Sequence, residues 1–478
     1  MKTALLRPVL FLIGLNVIIK PIWIVGIDRQ VQLLEGPEVY GQYFALFQLS
    51  IMFHVLLDAG IQTFLSQRKG QSIDLPKGFI ARLGILKIGL SFIYFGISLM
   101  AAFILGLLDH PQWLLKLLLI QILHSGVLFC RTYFTADSRF GLDRIFSVLD
   151  KIISLGIMAF ALIQLDNLDA IDAMLNAQII GLGLSILLAL GILVASQKKV
   201  KEIVSTSVSI SYPSLLKSAL PFALMVLFMT LYQRADGVMI ALLHQKAALQ
   251  NGLYAMSYRI YDALNVVPVL ATFILLPSLS RTGLNNEKGD GIAREILRFS
   301  LTLSLVVAPI IFLNYSSCFD LLYGGQPFEA AKVFQVLMVC FLISSPMAVL
   351  GTILTASDQI WKVCGIALFG CLINITANYF LIPTHGALGA SWTTLGTAVF
   401  MTLTYTFALR DLLTNLVSIK VIMQYFALGL SALGLYLLLD QLIQGSTLGK
   451  ISLYILLISL VILTTKWLQI SILPSRRN

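Results

Sequence analysis

The stretch AAKVFQVLMVCFLISSPMAVLGTILTA, residues Ala330–Ala356, is apolar over the length of a membrane-spanning helix. Its single charged residue is Lys332, close to where it begins. An α-helix rises about 1.5 Å per residue, so about 20 apolar residues cross the hydrocarbon core of a bilayer. The stretch therefore predicts a transmembrane helix.

Similar stretches recur along the whole chain. Hydrophobic residues make up 58% of the 478 residues and charged residues only 12%, against about 25% charged residues in soluble proteins. The stretches are long and nearly uncharged, unlike the alternating segments of a membrane β-barrel. We expect an all-α integral membrane protein of about fourteen transmembrane helices. The first is predicted over Leu5–Ile27 and the last two over Lys420–Leu439 and Gly449–Leu473.

The positive charges between the predicted helices indicate an orientation. With the N-terminus in the cytoplasm, the outer loops keep mainly Arg29 and Lys246, and most other loop lysines and arginines face the cytoplasm. An even number of helices also returns the C-terminus to the cytoplasm. The apolar run after Arg7 is interrupted by Asn16 and Lys20, and no small-residue cleavage site follows, so we interpret it as a retained helix rather than a signal peptide.

A short sequence pattern suggests an internal repeat. Gly-Gln-Tyr at 41–43 opens the second predicted helix, and Gly-Leu-Tyr at 252–254 opens the eighth. Each follows a helix with a deep basic residue, Lys20 or Arg234. Units six helices apart share one orientation, which favours two parallel six-helix lobes. The predicted division is a lobe over 1–200, a lobe over 201–412 and two additional helices over 413–478.

Basic side chains outnumber acidic ones inside the predicted helices. A charge at the centre of a spanning helix costs about 2.5–3.5 kcal/mol on insertion scales, so such residues face a polar cavity or a partner. An excess of positive charge therefore predicts an interior that receives an anion. The basic residues are Lys20, Lys87, Arg131, Lys151, Lys217, Arg234 and Arg259, and the acidic ones are Asp58, Asp150, Asp236 and Asp262.

Depth divides these basic residues into two groups. Lys20, Arg234 and Arg259 lie too deep to reach the cytoplasmic surface, so we favour a cavity role for them over a structural ion pair. Arg259 and Asp262 are spaced i, i+3 and can pair, whereas Arg234 and Asp236 point to different faces and each needs another partner. For the other four we favour long side chains that extend to the membrane surface: Lys87, Arg131, Lys151 and Lys217.

Tyrosines form a stripe on the eighth predicted helix. Tyr254, Tyr258, Tyr261 and Asp262 share one face. Aromatic rings beside a carboxylate suit sugar stacking and hydroxyl hydrogen bonding, whereas rings near a helix end also form interfacial belts. We interpret Tyr254 as part of a belt and leave both alternatives open for Tyr258 and Tyr261.

No sequence pattern of an enzyme is present. The chain has no Gly-x-x-x-x-Gly-Lys-Ser/Thr loop for nucleotides and no His-Glu-x-x-His pair for zinc. The five cysteines lack a Cys-x-x-Cys spacing and fall in or at the ends of apolar stretches, as small buried residues do. We therefore expect neither catalysis, nor a cofactor, nor a structural metal, nor nucleic-acid binding.

Four motifs resemble those of the polysaccharide flippases of the multidrug/oligosaccharidyl-lipid/polysaccharide exporter superfamily. LEGPEVYGQY at 34–43 is similar to the family's LGPEEYGLY signature, and LDAGI at 57–61 to its DLGL. The residues from LPF at 220–222 to YR at 258–259 resemble its helix seven to eight region, and those from Asn374 to Ala390 match its stretch around LIP and GALGA. The motifs follow one another in the family's order.

This resemblance implies two six-helix lobes around a central cavity. Family members move isoprenoid-diphosphate-linked oligosaccharides across the bacterial inner membrane for surface polysaccharide biosynthesis, often driven by an ion gradient. Lys20, Arg234 and Arg259 would then hold the diphosphate, although the family often has arginine at the position of Lys20. Glycosyltransferases and a polysaccharide polymerase are possible partners, and H⁺ or Na⁺ is the expected coupling ion. The polar or ion-coupling roles would fall on Asp58, Asp236 and Asp262.

Three other functions stay open. A multidrug antiporter of the same fold would carry cationic drugs and need an acidic cavity, which the excess of basic residues disfavours. A flippase for lipid II, the peptidoglycan precursor, would also be cationic inside, with helices thirteen and fourteen forming a lipid groove. A scaffold in a membrane glycan-synthesis complex would need no transport of its own, which the deep charges and the apparent two-lobe repeat disfavour.

Overall fold

The computed structural model describes residues 18–59, 79–136, 140–164, 169–197, 212–284, 287–324, 328–412 and Gly434. Regular structure in this part of the chain is helical, without strands. After a π-helix over Ile22–Asp28, the α-helices are α1 (Arg29–Met52), α2 (Phe79–Ile104), α3 (Pro111–Ala136), α4 (Phe140–Phe146), α5 (Leu149–Gln164), α6 (Ala170–Gln197), α7 (Tyr212–Leu243), α8 (Ala247–Thr282), α9 (Glu287–Leu313), α10 (Tyr315–Tyr323), α11 (Phe328–Ala356) and α12 (Ile360–Ala408), with a 3₁₀-helix over His54–Leu57 between α1 and α2.

The described residues confirm the predicted all-α membrane fold. Nine of their helices are long and apolar enough to cross a membrane. The total of fourteen helices stays a prediction, because the spans over 420–439 and 449–473 lie outside the described residues. Residues 413–478, the predicted extra pair of helices, are therefore not part of the structural account apart from Gly434.

Glycines break two of the longest helices. The backbone of α1 leaves helical geometry at Gly36, with φ 76° and ψ 167°, and Pro37 follows. In α12 the break is at Gly386, with φ 53° and ψ −129°, shortly after Pro383. Positive φ favours glycine because it lacks a Cβ atom. Each break lets the chain end one membrane crossing and begin the next.

The first helix is longer than the sequence predicted. Its expected end was Ile27, but the chain stays helical through the π-helix and the first turns of α1 to the break at Gly36. Pro21 immediately precedes the π-helix, and its missing N–H favours such a local change of winding. Arg29, predicted in an outer loop, therefore lies in a helix, where its Nε donates to the carbonyl of Leu322.

The two halves of the chain, 18–197 and 212–412, meet mainly through α1. This helix packs against α7 and α8, and the π-helix also contacts α8. Within the first half, α6 packs on α3 and α5, and within the second, α12 packs on α7 and α11. We call the end of the bundle that carries Gly36, the turn between α7 and α8, and Gly386 the Asp28 end, after the nearest buried acid.

Candidate functional site

Two arginines and two aspartates join the halves of the chain below the Asp28 end. Arg259 Nε of α8 donates to Asp28 Oδ2 at 2.5 Å. Asp28 is fully buried, and Tyr40 donates its hydroxyl to the other carboxylate oxygen at 2.8 Å. Because Asp28 and Arg259 belong to different halves, this ion pair requires the halves to be in contact.

A second arginine completes the arrangement. Arg234 Nη1 of α7 donates to Asp262 Oδ2 at 3.0 Å and to Gln48 Oε1 of α1 at 3.3 Å. Arg259 Nη1 lies 3.8 Å from the same oxygen of Asp262. Two positive and two negative charges thus balance. We call this group the latch, formed by Asp28, Arg234, Arg259 and Asp262.

Tyr258 and Tyr261, for which sugar stacking was one of two alternatives, are buried beside the latch. Tyr258 donates its hydroxyl to the Gln233 carbonyl at 2.7 Å, and the Arg234 guanidinium lies 5.6 Å from its ring centre. The Tyr261 hydroxyl lies 3.5 Å from Cys340 Sγ. Both rings are less than a tenth exposed, so in this conformation neither presents a face to a ligand. Their role as sugar platforms stays a prediction for a conformation with the halves apart.

Two glycines allow α1 and α8 to cross closely at the Asp28 end. A Cβ atom on Gly41 would overlap the Ala248 carbonyl oxygen, and one on Gly252 would overlap the Pro37 carbonyl oxygen. Asn251 Nδ2 also donates to the Gly41 carbonyl at 3.0 Å. These glycines open the two matching patterns of the predicted repeat, so the equivalent positions contact each other. The close crossing adds to the contact between the halves above the latch.

Asp236 lies apart from the latch in a cage of neutral polar groups. As expected from its i, i+2 spacing, it does not share the partner of Arg234. Its Oδ2 accepts from Tyr254 OH at 2.6 Å and Thr394 Oγ1 at 2.5 Å, and its Oδ1 accepts from Asn378 Nδ2 at 2.7 Å and Asn374 Nδ2 at 3.4 Å. Tyr254, interpreted from sequence as part of an interfacial belt, is thus one wall of this cage. Asn378 Oδ1 is buried without a hydrogen-bond partner in the described structure.

Lys20 is the deep cation that the latch leaves out. Among the described residues it makes neither a hydrogen bond nor an ion pair, and its side chain is partly buried. Lys151 and Arg131 lie close enough to repel it electrostatically, and Asp150 is the nearby acid that attracts it. Lys20 is therefore incompletely neutralised within the part of the chain that the structure describes.

Lys87, which we expected at the membrane surface, instead turns into the first half. Its Nζ donates to Ser125 Oγ at 2.5 Å and to the Ser125 carbonyl at 3.2 Å, and lies 4.0 Å from Asp58 Oδ1. These contacts draw the ammonium group into the protein, and the preference for snorkelling was wrong for this residue. The side chain of Lys217 lies outside the described residues.

Two further basic residues predicted inside the helices of the first half have acidic neighbours. Arg131 Nε donates to Asp143 Oδ1 at 2.8 Å, and Lys151 Nζ lies 3.3 Å from Asp150 Oδ2. Together with Lys20 and Lys87 they give four positive charges against three negative ones. We call this group the N-half cluster: Lys20, Lys87, Arg131 and Lys151, with Asp58, Asp143 and Asp150.

Two histidines, which the sequence analysis did not use, lie at the level of this cluster. At about 1.5 Å per residue, His54 and His124 lie about 20–25 Å from the Asp28 end, as do Lys20, Lys87 and Lys151.

The sequence analysis counted charged residues, so neutral polar groups escaped it. Two amides spaced i, i+4 in an otherwise apolar helix were a signal that could have pointed to the Asp236 cage. The residues missed in this way are Gln48, His54, His124, Asn374, Asn378 and Thr394. Asp28 was missed because it lies just beyond the predicted end of the first helix.

Comparisons with solved structures show which known fold this multi-pass helical bundle has. The lipid II flippase MurJ in an inward closed conformation aligns with 95% of this chain and 98% of its own, with TM-score 0.69 at 13% identity. An outward-facing multidrug resistance MATE family transporter of the MOP superfamily aligns with 86% of this chain and 96% of its own, with TM-score 0.59 at 14% identity. At such identities these likenesses show the fold.

The family follows from the sequence itself. The profile of the family described as "Polysaccharide biosynthesis protein" matches residues 5–283, more than half of the chain. The chain belongs to this polysaccharide biosynthesis protein family. A third solved structure, MATE in a bent conformation, aligns with 87% of the chain and 96% of its own, with TM-score 0.57 at 13% identity. No curated protein sequence matches the chain significantly.

Proposed function

We propose that the protein is a flippase for an isoprenoid-diphosphate-linked oligosaccharide in surface polysaccharide biosynthesis. It acts by alternating access in the bacterial inner membrane, with both termini in the cytoplasm and the Asp28 end facing outward. The observation that carries the proposal is Lys20, a partly buried cation without a described partner in a region of net positive charge. Such a region attracts an anionic head group rather than a cationic drug.

The diphosphate meets the N-half cluster first, because the latch is closed. Arg234 and Arg259 have carboxylate partners while the halves touch at the Asp28 end. Parting of the halves removes Asp28 from Arg259 and Gln48 from Arg234, since both partners belong to the other half. The two arginines then offer up to two charge-assisted hydrogen bonds to phosphate oxygens. Lys20, Arg234 and Arg259 thus act in sequence, with Tyr258 and Tyr261 exposed for the sugar in the open state.

The Asp236 cage suits a coupling ion. Rotation of the two asparagine amides turns their oxygens toward the carboxylate, and Asn378 Oδ1 has no partner in the described structure to hold it back. With Thr394 Oγ1 and the Asp236 carboxylate, these oxygens form a set that suits a hard cation such as Na⁺, and the carboxylate alone suits H⁺. Asp262 stays with the arginines of the latch, and Asp58 with Lys87.

A flipping assay in proteoliposomes tests the proposal. The purified chain is reconstituted with a fluorescent polyprenyl-diphosphate oligosaccharide, and arrival in the opposite leaflet is measured by lectin or enzyme accessibility. Lys20→Gln should slow flipping at least tenfold, since the compact charge that attracts the diphosphate is lost, and Lys20→Arg should retain it. Lys116→Gln is the matched control, because Lys116 pairs with Asp172 at the protein surface. Equal rates for Lys20→Gln and the parent would refute the proposal.

A lipid II flippase is the second candidate. The alignment with MurJ over 95% of this chain favours it, although at 13% identity that likeness concerns the fold. The same liposomes with lipid II in place of the oligosaccharide lipid separate the two functions. Uptake of a cationic dye in a further arm tests the multidrug antiporter, which the net positive charge of the N-half cluster disfavours.

A further inference from the structure

A histidine pair lies within the first half of the bundle. The rings of His54 and His124 have their centres 6.3 Å apart. His54 begins the 3₁₀-helix that follows α1, and His124 lies midway along α3. Nothing in the latch or the Asp236 cage uses these two side chains.

One nitrogen of the pair lacks a hydrogen bond. His54 Nε2 is buried and has no partner among the described residues. A buried polar atom without a partner is costly, and native proteins retain one where a ligand, water or proton completes it. His54 Nε2 is thus a candidate for contact with something that enters the bundle.

Cations surround the pair on several sides. Lys87 of α2 lies near His54, and Lys20 and Lys151 lie near His124. Asp150 of α5 faces His124 as well, and Asp58 lies beside Lys87 on the segment after α1. From α7, Arg234 turns away to Asp262. Further along α3, Arg131 is paired with Asp143.

We propose that His54 and His124 bind the phosphate oxygens of the substrate as imidazolium ions and take up their protons together with it. The proposal rests on the function proposed above and names two further residues of its anion site. In the empty site each imidazole is neutral, because it is buried and the cations around the pair outnumber the acids, so a further positive charge is disfavoured. An entering diphosphate reverses that balance, and each ring gains a proton from water and becomes a donor at both nitrogens.

Titratable rings suit a carrier that changes conformation without substrate after each transport cycle. A permanently charged site strong enough for a diphosphate would leave unbalanced charge buried when the carrier resets. Two titratable rings supply the charge only when the anion is present. The N-half cluster then has a net charge of one when empty and three when loaded, the sum of its four bases, three acids and two imidazolium ions.

Calorimetry with a soluble probe tests the proposal. Geranyl diphosphate is titrated into the full chain in nanodiscs, in buffers of different ionisation enthalpy, which gives the number of protons taken up. The parent should take up protons at pH 7.5, and affinity should rise as the pH falls from 8.5 to 6. His54→Gln and His124→Gln should each reduce proton uptake and lower affinity at pH 6 by about tenfold, as expected for the loss of one charge-assisted hydrogen bond.

Elution of each variant in size-exclusion chromatography and its unfolding temperature, both matching the parent, show that it is folded. His110→Gln is the matched control, since His110 is partly exposed, contacts Gln42 and stacks on Trp113. The proposal is overturned if both variants keep the parent's proton uptake and pH profile, or if the parent does not bind the probe. Proton-linked binding without flipping of the glycan lipid would refute the proposed function alone.

Discussion

Removal of the Asp28 carboxylate should open the bundle at the Asp28 end. Asp28→Ala leaves the buried Arg259 with a single ion pair among the described residues, the longer contact to Asp262 at 3.8 Å. Loss of one partner of a buried ion pair costs about 3–5 kcal/mol, and the remaining contact places this case near 3 kcal/mol. Because the pair exists only while the halves touch, that cost falls on the closed state. A shift of about 3 kcal/mol changes the ratio of open to closed molecules about a hundredfold.

Spin labels at Glu38 and Lys246 report this change. Both residues are exposed at the Asp28 end and belong to different halves. Electron–electron distance measurements in a background without the native cysteines should show a longer distance in Asp28→Ala than in the parent. The reasoning is refuted if the distance distribution is unchanged in the variant.

A second ion pair and a double variant serve as controls for the effect of Asp28→Ala. Asp172→Ala breaks the pair with Lys116, which lies within one half and is partly exposed. Partly exposed ion pairs contribute about 0–1 kcal/mol to stability. Loss of the Lys116–Asp172 pair should therefore leave the spin-label distance unchanged. In Asp28→Ala combined with Arg259→Ala, the uncompensated charge is gone, so the shift should be smaller than in Asp28→Ala alone.

Three further perturbations have defined outcomes. Arg234→Ala should abolish flipping while the protein stays folded, and normal glycan export at parental abundance would contradict this. Gly252→Ala should hold α8 away from the Pro37 carbonyl, at a cost of about 1–3 kcal/mol to the closed state, and lengthen the same spin-label distance. Gly183→Ala, where a Cβ atom meets open space, is its control. Asp236→Asn should make flipping insensitive to Na⁺ and H⁺ gradients, and a retained response to both gradients would remove Asp236 as the coupling site.

The length of apolar stretches predicted the fold because the bilayer imposes it. A helix that crosses about 30 Å of hydrocarbon satisfies its own backbone, so the signal is local to each stretch. The end of the first helix was missed for the opposite reason. Asp28, Arg29 and Gln32 look like loop residues by composition, yet each has a partner in the second half of the chain, more than 200 residues away. No local pattern shows that such partners exist.

In the candidate site too, the sequence predicted what depends on local spacing and missed what depends on distant partners. Helical spacing predicted that Arg234 and Asp236 need different partners, and the structure gives them Asp262 and the cage. Spacing could not identify those partners, because three-dimensional packing of α7 against α1, α8 and α12 selects them. It also could not separate a cation in a closed ion pair from one that awaits a ligand.

The structure distinguishes paired cations from incompletely neutralised ones, and this distinction changes the interpretation of the excess of positive charge. Inside the latch the charges cancel, so the contact between the halves is electrically neutral and can close without a bound anion. The excess lies in the N-half cluster, where four bases face three acids. In the proposed flippase, an anion is attracted to the N-half cluster before the halves part, and it gains the two latch arginines only as Asp28 withdraws. The free energy lost when the latch ion pairs break is then offset by the free energy of anion binding to the same arginines. This offset links occupancy of the site to the opening of the Asp28 end.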